Sequence, residues 1–271
     1  MFARIAAMKT QLTLKTLLAV ALSTATGLMA GEPMTLNSKS GKACESCNAA
    51  PAAYEANRGL LTLEGPSGMF INPTSATLPK GAFTAQYCFF LPDFNFDGTI
   101  GHGGMVSYGV TDWLEVGALL GFLTDTPDTQ FSAGPMVRAR LLKHDGLIPQ
   151  LSVGSYGYLG DNESASTFLA LTERFELGGG CPLKSIAFHA GARQTWTENN
   201  DSFRGYFGAE LELPGRVYLV GELATKSSVD AVVPWAAGVQ WRAGGINIST
   251  AVVENGNGGD VGFFFGIGTV F

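Results

Sequence analysis

From Phe83 to Phe271 apolar residues recur at every second position, and no other feature of the chain constrains its fold as much. Successive side chains of a strand point to opposite faces, whereas a helix of 3.6 residues per turn would mix the two sets. The stretch 131–142 is the clearest case. Phe131, Ala133, Pro135, Val137, Ala139 and Leu141 share one face, against Ser132, Gly134, Met136, Arg138, Arg140 and Leu142. Likewise Leu114, Val116, Ala118, Leu120 and Phe122 oppose Glu115, Gly117 and Gly121, and Trp235, Ala237, Val239 and Trp241 oppose Gly238, Gln240 and Arg242. Two residues disturb the pattern. Pro135 predicts a local irregularity, because proline donates nothing to a ladder. Glu173 falls on the apolar face with Leu169, Leu171 and Phe175.

About twelve such segments fit between Phe83 and Phe271, most near the 9–11 residues with which a tilted strand crosses a bilayer. Charged residues make up only 15% of the 271, against roughly 25% in an ordinary soluble domain. Beyond residue 30 no apolar run approaches the roughly 18 residues of a membrane helix. A soluble β-sandwich would bury its apolar face and would need no rule for loop length. Here short links ("VTDW", "LPGR", "RAGG") alternate with longer polar ones ("PDFNFDGTIGHGG", "LTDTPDTQF", "LGDNESAS", "TENNDSF", "TKSSVD", "ENGNGGD"). Membrane barrels have that asymmetry, and a sheet in lipid has to close so that every backbone group is paired. The prediction is all-β: a transmembrane antiparallel up-and-down barrel over residues 81–271. It has about 12 strands, or 14 if two more lie within Leu60–Ile71. Trp113, Trp196, Trp235 and Trp241 then suit its aromatic girdles.

The first 30 residues differ in kind. Arg4, Lys9 and Lys15 precede the apolar stretch Leu17–Ala30, the pattern of an export signal. Cleavage is expected after Ala30, with Ser23 and Ala25 marking an alternative site. Loss of the signal removes those three positive charges and no negative one, so the exported chain is more acidic than the formal −6 of the whole. That balance argues against a nucleic-acid partner, which would need a basic patch. Residues 31–80 read as a periplasmic lead-in or as a plug folded into the barrel.

Of the four cysteines only Cys44 and Cys47 are closely spaced. A haem attachment site would need His after the second cysteine, where Asn48 stands, and zinc would need a second ligand pair. A small Cys44–Cys47 disulfide in an oxidising compartment is the expectation. No cofactor or metal is expected.

The face opposite the apolar one supplies candidate lumen-lining residues: Glu115, Arg138, Arg140, Arg174, Arg193, Glu210, Glu212, Glu222 and Arg242, with Glu176 and His189 beside them. They either create a polar channel or pair across the interior and fill it, since buried charges need partners. For catalysis the best candidate base is His102, in the Gly-rich "TIGHGG" read here as loop, with Ser107 or Asp97 near it in sequence. Spacing alone gives no catalytic set, and no enzyme is expected.

Two resemblances add to this. Phe263, Phe265, Ile267 and Phe271, at alternate positions, resemble the terminal assembly signal of bacterial outer-membrane barrels, although Thr269 departs from it. This implies outer-membrane location in a Gram-negative-type bacterium, with membrane lipid and the barrel assembly machinery as partners. The stretch Gly59–Phe83 ("GLLTLEGPSGMFINPTSATLPKGAF") resembles the opening of YjbH-type outer-membrane proteins through Gly68, Asn72, Pro73 and Thr74. That resemblance implies a non-catalytic role in envelope or exopolysaccharide biogenesis, with envelope polysaccharide as a partner. The alternatives are a porin or narrow channel for small solutes, and an outer-membrane barrel hydrolase.

Overall fold

The computed structural model describes residues 61–63, 65–92, 100–124, 129–145, 148–177, 182–256, 258 and 261–271. The expected signal segment, residues 31–60, and Cys44 with Cys47 lie outside that set. Two short strands, β1 (Leu61–Thr62) and β2 (Gly65–Ser67), pair only with each other. Twelve more form the wall: β3 (Phe83–Leu91), β4 (Ile100–Gly109), β5 (Leu114–Thr124), β6 (Thr129–Leu142), β7 (Gln150–Gly160), β8 (Ser164–Glu176), β9 (Ser185–Thr197), β10 (Asp201–Leu213), β11 (Val217–Ala224), β12 (Trp235–Ala243), β13 (Ile246–Glu254) and β14 (Gly262–Val270). Each pairs antiparallel with its neighbours in sequence, and β14 pairs with β3, so the sheet is a closed barrel. The two extra strands anticipated within Leu60–Ile71 therefore exist, but outside the wall.

Alternation decides which face each residue takes. On β5, Glu115 and Leu119 are buried while Val116, Ala118, Leu120 and Phe122 are exposed. On β10, Arg204, Tyr206, Gly208 and Glu210 turn inward, and Phe203 and Phe207 remain 61% and 46% exposed on the outside. The same holds around the ring, with Leu169, Phe188, Leu219, Val239 and Ile267 all on the outer surface. A barrel with an apolar exterior and a polar interior is the inverse of a water-soluble one. Among the described residues no helix is long and apolar enough to cross a membrane.

Pro135 does not break β6. It sits on the outer face opposite Ala118, and the register with β5 runs through it unchanged. On its other edge the β6–β7 pairing skips Gly134 and Pro135, the local irregularity expected there, and a second follows where the register shifts between Arg140 and Leu142. Glu173 does face outward, 3.8 Å from His144 Nδ1 in the β6–β7 link.

The expected loop-length alternation holds only in part. Phe83 and Phe271 share one rim, where each backbone N–H donates to the other's carbonyl. On that rim lie the tight links 214–216 and 244–245, but also the long links 143–149 and 177–184. At the opposite rim, 161–163 and 198–200 are short. The polar residues at these tips continue the ladder: Ser164 pairs with Thr197, and Asp201 with Trp196. The 244–245 turn shows the backbone requirement well. Gly244 and Gly245 have φ of 61° and 80°, the left-handed pair that a two-residue hairpin turn demands.

Candidate functional site

The lumen is not empty. Residues 66–79 run through it, with Met69, Phe70, Ile71, Asn72, Ser75, Thr77 and Leu78 all within 1% of full burial. The segment begins with a tight turn. Met69 N–H donates to Asn72 O at 3.0 Å, and Gly68 bridges to Pro73. A side chain at Gly68 would overlap the Asn72 carbonyl and the Pro73 backbone, which is why glycine stands there. Past the turn the segment joins no ladder. Its buried backbone groups still need partners, and the wall's side chains supply them.

Glu222, on β11, is the main tether. Its Oε1 accepts the N–H groups of Phe70 (2.7 Å) and Ile71 (2.6 Å), and its Oε2 accepts Asn72 N–H (3.1 Å) and Asn72 Nδ2 (2.8 Å). Gln240 Nε2 donates to Met69 O at 2.7 Å, Arg193 Nη1 to Ile71 O at 3.4 Å and Tyr206 OH to Pro73 O at 3.0 Å. Across the lumen, Gln150 Nε2 and Ser152 Oγ donate to Ser75 O at 2.7 and 2.5 Å, while Ser75 N–H donates to Thr172 Oγ1 at 3.3 Å. Arg138 holds two points of the segment, donating from Nη1 to Ala76 O and from Nη2 to Ser67 O, the latter at 2.7 Å. At the exit Glu115 accepts Leu78 N–H at 3.1 Å and Ser107 Oγ at 2.8 Å. Apolar contact adds to these bonds: Met69, Phe70 and Ile71 pack into a cluster with Tyr206, Tyr218, Val220 and Phe264.

The remaining charges form separate groups. Arg242 makes a two-pronged bond to Glu210 (2.9 and 2.7 Å), stacks 4.3 Å above the Tyr218 ring, and holds Gln240 Oε1 with Nε at 2.9 Å. His189 Nε2 lies 3.4 Å from the same Glu210, and its Nδ1 is 2.9 Å from Thr172 Oγ1. Nearer the rim of Phe83, Arg174 bridges Glu176 and Glu212, and Ser185 Oγ donates to Glu212 at 2.8 Å. At the opposite mouth Arg204 pairs with Asp230 of the 225–234 link, with Nε to Oδ2 at 2.9 Å. Ser227 N–H and Oγ also donate to Oδ2, at 2.7 and 2.6 Å. Partial burial pushes the Asp230 carboxyl up, but the Arg204 and Ser227 hydrogen bonds outweigh it and hold the group below the usual carboxylate range.

Each residue named as a lumen candidate can now be placed. Glu115, Arg138, Arg140, Arg193, Glu210, Glu222 and Arg242 are buried on the inner face, whereas Arg174 and Glu212 keep 11% and 16% side-chain exposure near the rim. Glu115, Arg138, Arg193 and Glu222 bond to the segment, and Glu210–Arg242 and Arg174–Glu212 pair within the wall. Sequence reasoning missed the uncharged tethers Gln150, Ser152, Thr172, Tyr206 and Gln240. Their inward parity was the available signal. It also missed the Arg204–Asp230 clasp, which no local pattern announces.

His102 and Ser107 do not come together as a catalytic pair. His102 is part of β4, not of a loop, and sits on the outer face with Nδ1 2.6 Å from Tyr87 OH. Ser107 is five residues on and faces inward, bound to Glu115. Asp97 lies outside the described residues, among which no cluster of His, Cys, Asp and Glu could hold a metal. Phe263, Phe265, Ile267 and Phe271 all fall on the outer face, with Phe265 stacked 5.4 Å from Phe89. Trp196, Trp235 and Trp241 are exposed near strand ends, and Trp113 lies in the 110–113 turn.

No family model and no curated protein matches the chain. Its fold does have solved relatives. It is similar to a structure described as the KdgM porin, at 8% identity, TM-score 0.54, over 69% of this chain and 99% of that one. It is also similar to the COG4313 outer membrane channel from Pseudomonas putida F1, at 12% identity, TM-score 0.50, over 72% and 97% of the two chains. At such identities the likeness concerns the barrel fold. The YjbH-type resemblance of Gly59–Phe83 finds no support among these comparisons.

Proposed function

We propose that the chain is an outer-membrane channel of porin-like type for small solutes, held closed in this state by residues 66–79 acting as a stopper. The observation that carries this reading is how the lumen is filled. Some wall charges pair with one another, as Glu210 does with Arg242, but the wall also reaches the segment it encloses. Here Glu115, Glu222, Arg138, Gln150 and Gln240 are aimed at main-chain atoms of a segment that belongs to no strand of the wall. Withdrawal of that segment would leave a conduit whose lining joins charged, amide and hydroxyl groups, which water can solvate, with apolar residues such as Val220 and Phe264. Outer-membrane placement is supported by the apolar exterior, by the export-type start of the chain, and by the porin and channel among similar folds. An envelope-polysaccharide role has no comparable feature behind it, and neither has hydrolysis.

Planar-bilayer recording tests the proposal on the whole chain and on a variant lacking residues 61–79. The native protein should show small or rare conductance steps, and the deletion variant frequent, larger ones. Silence from a deletion variant that still shows the heat-dependent electrophoretic shift of a folded barrel would refute the channel reading.

A further inference from the structure

Between Thr62 and Leu63, which precede the stopper, and the wall of β3–β7, a cavity of about 220 Å³ remains, near the rim opposite Phe83 and Phe271. Leu63, Cys88, Phe90, Leu123 and Tyr158 give it an apolar lining, and Ser132, Asn162 and Ser164 form a polar edge. Among the described residues no carboxylate, ammonium or guanidinium lines it. His102 borders it as well, but its imidazole is engaged by Tyr87 on the outer face.

The glycines of the inner wall show why this space is open. At four other inward positions the glycine is covered by a neighbour's side chain. Phe168 lies over Gly154, Tyr206 over Gly191, Met69 over Gly208 and Phe90 over Gly262, each so close that a Cβ there would collide. Gly101 and Gly121 behave differently. A Cβ at Gly101 would lie 3.7 Å from Leu123 Cδ2, and one at Gly121 would lie 3.5 Å from Tyr158 Cε1, both ordinary contacts. Neither glycine is among those with positive φ. Neither backbone geometry nor packing requires glycine at these two positions, and what their missing side chains leave is room.

We infer that this cavity is a binding site for a small, neutral, mainly apolar molecule, seated over Gly101 and Gly121 between Phe90 and Tyr158. An apolar cavity of about 150 Å³ accepts a benzene ring, so this one suits one ring or two fused rings. Phe90 and Tyr158 offer aromatic surfaces, and the Ser132, Asn162 and Ser164 edge suits a hydroxyl or carbonyl on the ligand. A charged ligand would lose its hydration with no counter-charge among the described lining residues. The site does not require the stopper to move, so it stands apart from the channel reading.

Naphthalene is the probe, titrated calorimetrically against the detergent-solubilised full chain, with 2-naphthoate as the charged counterpart. The native protein should bind naphthalene saturably at one site, and 2-naphthoate at least tenfold more weakly. Gly121→Phe, which fills the cavity, should lower naphthalene affinity at least tenfold. If that variant fails to fold, Gly101→Val makes the same test with a smaller insertion. Absence of saturable binding to native protein, or undiminished binding to a folded filled variant, overturns the site. Equal binding of 2-naphthoate overturns its chemistry.

Discussion

Glu222→Gln removes half of the stopper's main tether while leaving its shape almost unchanged. The carboxylate accepts four hydrogen bonds, two on each oxygen. An amide in the same place keeps one acceptor, and its NH2 group must face two donors whichever way it is turned. Hydrogen bonds to a charged group contribute roughly 1.5–3 kcal/mol each, and neutral ones about 1 kcal/mol. Two bonds are lost and two lose their charge assistance. Against this, the native state is relieved of a buried carboxylate, whose desolvation costs several kcal/mol. A net loss on the order of 3 kcal/mol follows, or about a hundredfold at 1.4 kcal/mol per decade. Amide hydrogen exchange in detergent micelles reads this directly. The amides of Phe70, Ile71 and Asn72 should exchange about a hundredfold faster, while those of the β8–β9 ladder stay as they were. Native-like exchange at those three amides in a folded Glu222→Gln variant would refute the tether and the reasoning from it.

Gly154→Ala drives a methyl into the Phe168 ring and toward Val137 O (2.9 Å), and overpacking of that kind costs about 1–3 kcal/mol. The urea midpoint should fall, whereas Gly121→Ala, with its ordinary contacts, should leave it unchanged. Phe265→Arg places a charge on the outer wall, where arginine costs roughly 2–4 kcal/mol at the bilayer midplane. Folding yield into lipid vesicles should drop, and an undiminished yield would argue against a lipid-facing β14. The Asp230 clasp gives a pH signature. Its carboxyl is held low in the folded chain, so the stabilisation is complete above the usual carboxylate range and disappears as pH falls through the lowered value. Limited proteolysis of the 225–234 link should accelerate only at acid pH, and Asp230→Asn should make cleavage fast at neutral pH too.

The wall was legible because period-two alternation needs no long-range information: each residue's face follows from its neighbour's. Strand ends were less so. Ser164, Asp201 and their neighbours have loop-like composition yet extend the ladder, because β8, β9 and β10 each run to 13 residues. The glycines flanking His102 suggest a loop for the same reason, yet they lie within β4. The charged lumen residues could be listed by parity. Their partners could not, since Glu222 meets a segment 152 residues earlier in the chain. The stopper itself carries no charge and no period between Pro66 and Pro79, so nothing local distinguishes it from a linker. Only the polar wall around it explains where it lies.

The seam of the ring has a topological consequence. Because Phe83 and Phe271 exchange backbone hydrogen bonds and β14 lies in full register against β3, the closing junction is a ladder like those between sequence neighbours. A circular permutant that joins Phe271 to Phe83 through a short linker and opens at Gly244–Gly245 would keep all twelve pairings. What it would not keep is the covalent continuity that leads Leu78 and Pro79 directly into β3. The wall has no intrinsic first strand. The origin of the ring is set by where the stopper is attached, so moving that attachment around the circle would change which strands it reaches first while leaving the cylinder itself the same.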